Sequence, residues 1–106
     1  MPDQVGASHI LVMHKDSDRS SAIRTKEEAH DLITEIKGKL DGGAEFAALA
    51  SENSDCPSGR DGGNLGPFGR GQMVKPFEDA AFGLDVGATS DVVETDFGYH
   101  LIRRNA

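Results

Sequence analysis

Residues 25–43 carry the strongest local folding instruction in the chain. Thr25 followed by Lys26-Glu27-Glu28 has the S/T-x-x-E form of a capping box, in which the Thr hydroxyl and the Glu carboxylate satisfy backbone N–H groups that a first helical turn leaves open. Ala29, Leu32, Ile33, Ile36 and Leu40 then recur three and four residues apart, giving one apolar stripe, and Asp41-Gly42-Gly43 ends it. A helix with one apolar face needs a surface to bury it against, and short strand-like segments near the two ends of the chain offer one. Ala7 to Met13 reads as a buried strand with His9 near its start. Thr89 to Thr95 and Gly98 to Arg104 read as two more, joined by a tight turn at Asp96-Phe97-Gly98. Between them, Ala44 to Ala50 makes a short second helix, and Ser51 to Arg60 are turn formers compatible with a helical turn. Asn64 to Phe68 suits a short strand. Pro76 opens a last helix, where its missing N–H costs nothing, with Phe77, Ala80 and Ala81 at helical spacing. The order βαααβαββ predicts an α+β fold, a small sheet with about four helices around it.

At 106 residues the chain is expected to be one domain, residues 7–106, preceded by a short tail of residues 1–6. The net charge of -7 argues against nucleic acid, which is held by clustered Lys and Arg. A lone cysteine forms no intrachain disulfide, and no basic start followed by an apolar run marks a signal peptide. No apolar stretch approaches the roughly 20 residues needed to cross a bilayer. The expectation is a cytoplasmic, monomeric protein that is not embedded in a membrane.

His9 and His100 fall near strand segments at opposite ends of the chain, where adjacent strands could bring them together, and Cys56 is the single thiol. Three chemistries compete for these residues. A nucleophilic cysteine needs an activating base, an orienting group and an oxyanion hole, and no local signature of the cysteine proteases is present. A structural zinc site usually takes four ligands, often in closely spaced pairs, whereas one Cys and four dispersed His are available. The third is a hydrogen-bonded network acting on a bound peptide without covalent chemistry.

Four motifs in order favour the third. They are Ser8-His9-Ile10-Leu11-Val12, Gly62-Gly63-Asn64-Leu65-Gly66, Met73-Val74-Lys75-Pro76-Phe77 and Phe97-Gly98-Tyr99-His100-Leu101-Ile102. Together they resemble the parvulin-type peptidyl-prolyl cis/trans isomerases over about Ala7 to Arg104. The resemblance implies an FKBP-like four-stranded antiparallel sheet and catalysis of rotation about Xaa-Pro bonds in peptides and proteins, with no metal and no cofactor. It assigns His9, Cys56, Thr95 and His100 to a polar inner shell, the two imidazoles hydrogen-bonded to one another. It assigns Leu65, Met73 and Phe77 to a pocket for the proline ring, where the flexible Met adapts its shape. Such chemistry breaks no bond: the amide barrier of about 18–20 kcal/mol comes from resonance, and the catalyst need only favour the twisted form.

The residue preferred before proline is ambiguous. A Ser54-Asp55-Cys56 triplet and the basic residues Lys15, Arg19 and Arg24 in the loop after the first strand suggest a phosphate-directed branch. Met13 stands where a Lys is expected there, Arg19 is flanked by Asp16 and Asp18, and the Phe97-Gly98-Tyr99-His100 ending suits the general branch. Activity is expected on unmodified Xaa-Pro peptides, with some preference for an acidic or phosphorylated residue before proline. Ser54 is expected to cap a short helix, while Asp55 has no assigned role. The alternative to an enzyme is a peptide-binding or chaperone module that keeps the groove and isomerises little.

Overall fold

The computed structural model describes residues 4–17 and 22–106. A four-stranded antiparallel sheet, in the order β2-β1-β4-β3, is built from β1 (Gln4–Val12), β2 (Asn64–Gly69), β3 (Val93–Thr95) and β4 (Gly98–Arg104). Three α-helices accompany it: α1 (Lys26–Asp41), α2 (Phe46–Asn53) and α3 (Lys75–Gly83). The expected third helical piece is a 3-10 helix, Pro57–Asp61. The terminal strands thus form the centre of the sheet, with β1 pairing β4 from Ala7↔Arg104 to Val12↔Tyr99.

Strand alternation divides the core. Ile10 and Val12 of β1 and Tyr99 and Leu101 of β4 face one side, where they pack on Ala29, Ile33 and Ile36 of α1 and Phe46, Leu49 and Ala50 of α2. Val5, Ala7 and Ile102 face the other, against Phe68 of β2 and Phe77 and Ala81 of α3. Period-two alternation therefore sends His9 and His100, each one residue from a partner of α1, to the α3 side. The capping box is formed: Glu28 N–H donates to Thr25 Oγ1 at 3.1 Å and Thr25 N–H to Glu28 Oε1 at 2.8 Å.

Two strand starts differ from the sequence pattern. β1 begins at Gln4 rather than Ala7, because Gln4, Val5 and Gly6 pair with Gly69, Phe68 and Pro67 of a strand 60 residues away, a partner no local pattern reveals. The expected strand from Thr89 shortens to Val93–Thr95. Ser90 accounts for the gap: its N–H donates to the Ile102 carbonyl at 2.8 Å while its hydroxyl takes Ile102 N–H at 3.1 Å and donates to Asp91 O. A side chain thereby replaces a rung of the ladder and only an isolated Thr89↔Arg103 bridge remains.

Beyond Ser8, β2 no longer pairs with β1, and a loop takes over its edge. His9 N–H donates to the Gly63 carbonyl at 2.9 Å, Leu11 N–H to Ser54 Oγ at 3.0 Å, and Met13 N–H to Asp55 Oδ2 at 2.8 Å; Leu11 O accepts from Asp55 N–H at 2.7 Å. Gly63 can lie this close only without a side chain. It has φ +83, and a Cβ there would stand 2.3 Å from the His9 carbonyl oxygen. Gly71 has a similar φ of +88 but open space around it. Gly63→Ala is therefore expected to destabilise the fold by roughly 3 kcal/mol or more, and Gly71→Ala by about 1 kcal/mol. Urea unfolding of the two variants checks the difference, and equal losses would contradict the close approach.

Candidate active site

Each polar contact at the centre of the site is a diagonal across neighbouring strands. His100 lies opposite Leu11 of β1 and Val93 of β3, two residues from His9 on one side and from Thr95 on the other, and such diagonal neighbours are within reach of long or aromatic side chains. The Nδ1 atoms of His9 and His100 are 3.1 Å apart, and His100 Nε2 is 2.7 Å from Thr95 Oγ1, which also accepts Phe97 N–H at 3.1 Å. The rings stack with centroids 5.3 Å apart. Phe77 meets both edge-on, at 5.5 Å from His9 and 5.3 Å from His100.

Burial fixes the charge of the pair. His9, Thr95 and His100 are 6%, 8% and 4% exposed. Desolvation pulls the His9 pKa down to about 4, and desolvation, together with repulsion from His9, pulls that of His100 down to about 3. Facing Nδ1 atoms agree with this, since one must donate and the other accept, which excludes two imidazolium rings pointing N–H at N–H. From Phe97 N–H through Thr95 and His100 the chain of bonds ends at His9 Nε2, which is buried without a partner among the described residues.

The apolar residues form one wall. Phe77 is buried, and Leu65 and Met73 are half-buried against the same cluster. In the β1–β2 register Ala7 faces Gly66 and Ser8 faces Asn64, so Leu65 is the extra residue of a β-bulge, a device that re-aims a side chain. Gly66 N–H donates to Asn64 Oδ1 at 3.0 Å and closes the turn across it. Met73 follows a turn held from α3. The buried carboxylate of Glu78 takes the Gly71 N–H and faces Arg70 at 3.7 Å and Lys75 at 3.6 Å. Sequence reasoning missed Glu78 because its position among charged neighbours reads as a solvated helix face; Lys75 three residues before it was the available hint.

Cys56 is half-buried, ahead of the 3-10 helix, in a hollow of about 360 Å³ lined with Ser51, Ser54, Asp55, Gly59 and Arg60. Its thiol accepts from Ser58 Oγ at 3.1 Å. Its backbone N–H donates to Ser54 Oγ and its carbonyl accepts Gly59 N–H, and among the described residues the bonded chain of His9, His100 and Thr95 does not include Cys56. Ser54 caps short helix α2 at its C-terminal end, where its N–H donates to the Ala50 carbonyl at 2.9 Å, while its hydroxyl accepts Leu11 N–H of β1.

Of the three basic candidates, Arg19 lies outside the described residues. Lys15 is exposed on a turn, and its N–H is bonded to the Arg24 carbonyl at 2.9 Å. Arg24 is engaged within the protein: its Nη1 donates to Asp55 Oδ2 at 2.7 Å and to the Met13 carbonyl at 3.0 Å.

The family model of the PPIC-type PPIASE domain matches residues 1–105. The chain belongs to the parvulin family of peptidyl-prolyl cis-trans isomerases. This parvulin is 44% identical over 113 residues to the peptidyl-prolyl cis-trans isomerase Pin1 of Digitalis lanata, covering 96% of each chain. It is also 46% identical to the peptidyl-prolyl cis-trans isomerase ESS1 of Saccharomyces cerevisiae, spanning 97% of its own length and 66% of that protein. Among solved structures it is similar to peptidyl-prolyl isomerase ESS1 from Candida albicans, with TM-score 0.92 at 36% identity, over 98% of this chain and 63% of the other. It is similar too to the parvulin of Nitrosopumilus maritimus, with TM-score 0.70 at 41% identity over 100% and 99% of the two chains. No helix among the described residues of the parvulin is long and apolar enough to cross a membrane.

Two imidazoles held neutral in the folded parvulin and free to protonate when unfolded make stability depend on pH. The unfolded chain binds more protons between about pH 6.5 and the folded values, so stability is constant from this source above that range and falls as pH drops through it. Each imidazole contributes a slope of about 1.4 kcal/mol per pH unit within the window. Urea unfolding at pH 7.5, 6.5 and 5.5 is expected to show this loss, with a shallower fall in His100→Asn. An unchanged slope in that variant would contradict the neutral pair.

Proposed function

We propose that this parvulin catalyses rotation about Xaa-Pro bonds by non-covalent stabilisation of the twisted amide. The single observation that carries this reading is Phe77, buried edge-on against both rings of the neutral His9–His100 pair while packed with Leu65 and Met73. One side chain thus joins the apolar wall to the polar network, so a proline ring on the wall brings its amide beside groups able to respond to the rotating carbonyl. Loss of resonance returns the lone pair to a pyramidal nitrogen and leaves a ketone-like carbonyl with less charge on its oxygen, and fixed neutral dipoles can favour this state without reorganising. Every factor of ten in rate requires about 1.4 kcal/mol of such preference, well within a few hydrogen bonds and an apolar contact.

Cys56 assists from the hollow beside Asp55 as a polar neighbour of the substrate carbonyl, with no covalent intermediate. Its substitution by Ser is expected to lower kcat/KM by roughly tenfold and leave clear activity. A dead Cys56→Ala enzyme together with a peptide adduct on Cys56 of the wild type, detected by mass spectrometry, would contradict this. A binding role without isomerisation is distinguished by a separate comparison: His100→Asn should slow exchange more than it weakens peptide binding, whereas the opposite pattern favours a chaperone-like binder.

The preference before proline is modest. Lys15 and Arg24 lie on the loop after β1, but Arg24 is already paired with Asp55, and exposed charge pairs are worth little in water. Exchange NMR on matched Ala-Pro, Glu-Pro and phosphoserine-Pro peptides is expected to show catalysis of all three, with rates within about tenfold of one another. Catalysis confined to the phosphorylated peptide would overturn this reading.

A further inference from the structure

We propose that Asp55 is a specificity-determining residue, an internal anion that occupies Arg24 and so lowers the enzyme's response to negative charge before proline. This inference rests on the isomerase reading above and names what sets its selectivity. Three contacts close a ring: Met13 N–H and Arg24 Nη1 both donate to Asp55 Oδ2, at 2.8 and 2.7 Å, and the same Nη1 donates to Met13 O at 3.0 Å. The carboxylate and the guanidinium are thus both tied to the Met13 backbone where the chain leaves β1, and the Arg24 backbone carbonyl takes Lys15 N–H. Asp55 adjoins Cys56 and lines the same hollow. The pair is therefore at the site and not on a remote face.

The chemistry gives Asp55 two effects of one sign. Its carboxylate takes up donors of Arg24 that would otherwise address a substrate carboxylate or phosphate, and its charge repels such a group from the hollow. Both side chains are 30% exposed, so the pair is open enough for an incoming anion to compete with it. Asp55 also holds the loop against β1, and a purely structural role would affect all peptides alike. Selectivity separates the two roles.

Asp55→Asn keeps an oxygen for Met13 N–H and removes the charge. The ratio of kcat/KM for Glu-Pro over Ala-Pro is expected to rise about fivefold, and that for phosphoserine-Pro at least as much. Adding Arg24→Gln to Asp55→Asn should return both ratios to near the wild-type values. Inorganic phosphate, followed through the backbone amide shifts of Met13, Arg24 and Cys56, should bind Asp55→Asn about fivefold more tightly than the wild type. Unchanged ratios with unchanged phosphate binding, or a gain that survives loss of Arg24, would overturn the proposal. If Asp55→Asn does not fold, Arg24→Gln alone decides: phosphate affinity within about twofold of wild type supports an Arg24 already occupied, and a larger loss overturns it. A wild type inactive on every peptide would count against the isomerase reading, while the phosphate titration would still judge Asp55.

Discussion

The antiparallel pairing of β1 with β4 is the constraint on which the rest of the site depends. It brings together residues 91 apart in sequence and, by setting Leu11 opposite His100, places His9 on the diagonal from which the Nδ1 atoms meet at 3.1 Å. A slip of one residue would turn one imidazole to the α1 side. The same pairing buries Ile10, Val12 and Leu101 beneath α1 and α2 and Ile102 beneath α3, so the hydrophobic effect that stabilises the fold also fixes the geometry of the polar network. Burial then holds both rings neutral. Packing, register and protonation state form one chain of cause.

A second consequence concerns the outer edge of β1. Beyond Ser8 that edge is completed by Gly63, Ser54 and Asp55 instead of a strand. Backbone donors of a central strand need partners once buried, and here the partners belong to the segment that carries Cys56. The loop is therefore positioned by the sheet itself. Arg24 joins the same set through Asp55 and Met13, which links the loop after β1 to the hollow at Cys56.

What could be read from the sequence follows from how local each signal is. Helix α1 was legible to within a residue because its cap, stripe and glycine stop lie within it, and the apolar wall of Leu65, Met73 and Phe77 was legible only through motif order. The beginning of β1 was not, since Gln4–Gly6 have no pattern and depend on β2 for partners. Ser54 caps α2 as its sequence suggested, but the bond from its hydroxyl to Leu11 was not legible, since that strand lies 43 positions away. The pairing of Arg24 was not legible for a similar reason: charge is visible in sequence, and the carboxylate that engages it 31 positions later is not.

The central claim is that the catalytic pair consists of two neutral, mutually bonded imidazoles held by the sheet. Nitrogen-15 NMR of the His9 and His100 side chains tests it most directly. From pH 8 to about pH 5 the account predicts neutral shifts for both rings, with one Nδ1 protonated and the other not, and no titration near the ordinary value of about 6.5. Titration of either ring close to that value in the folded protein would contradict it.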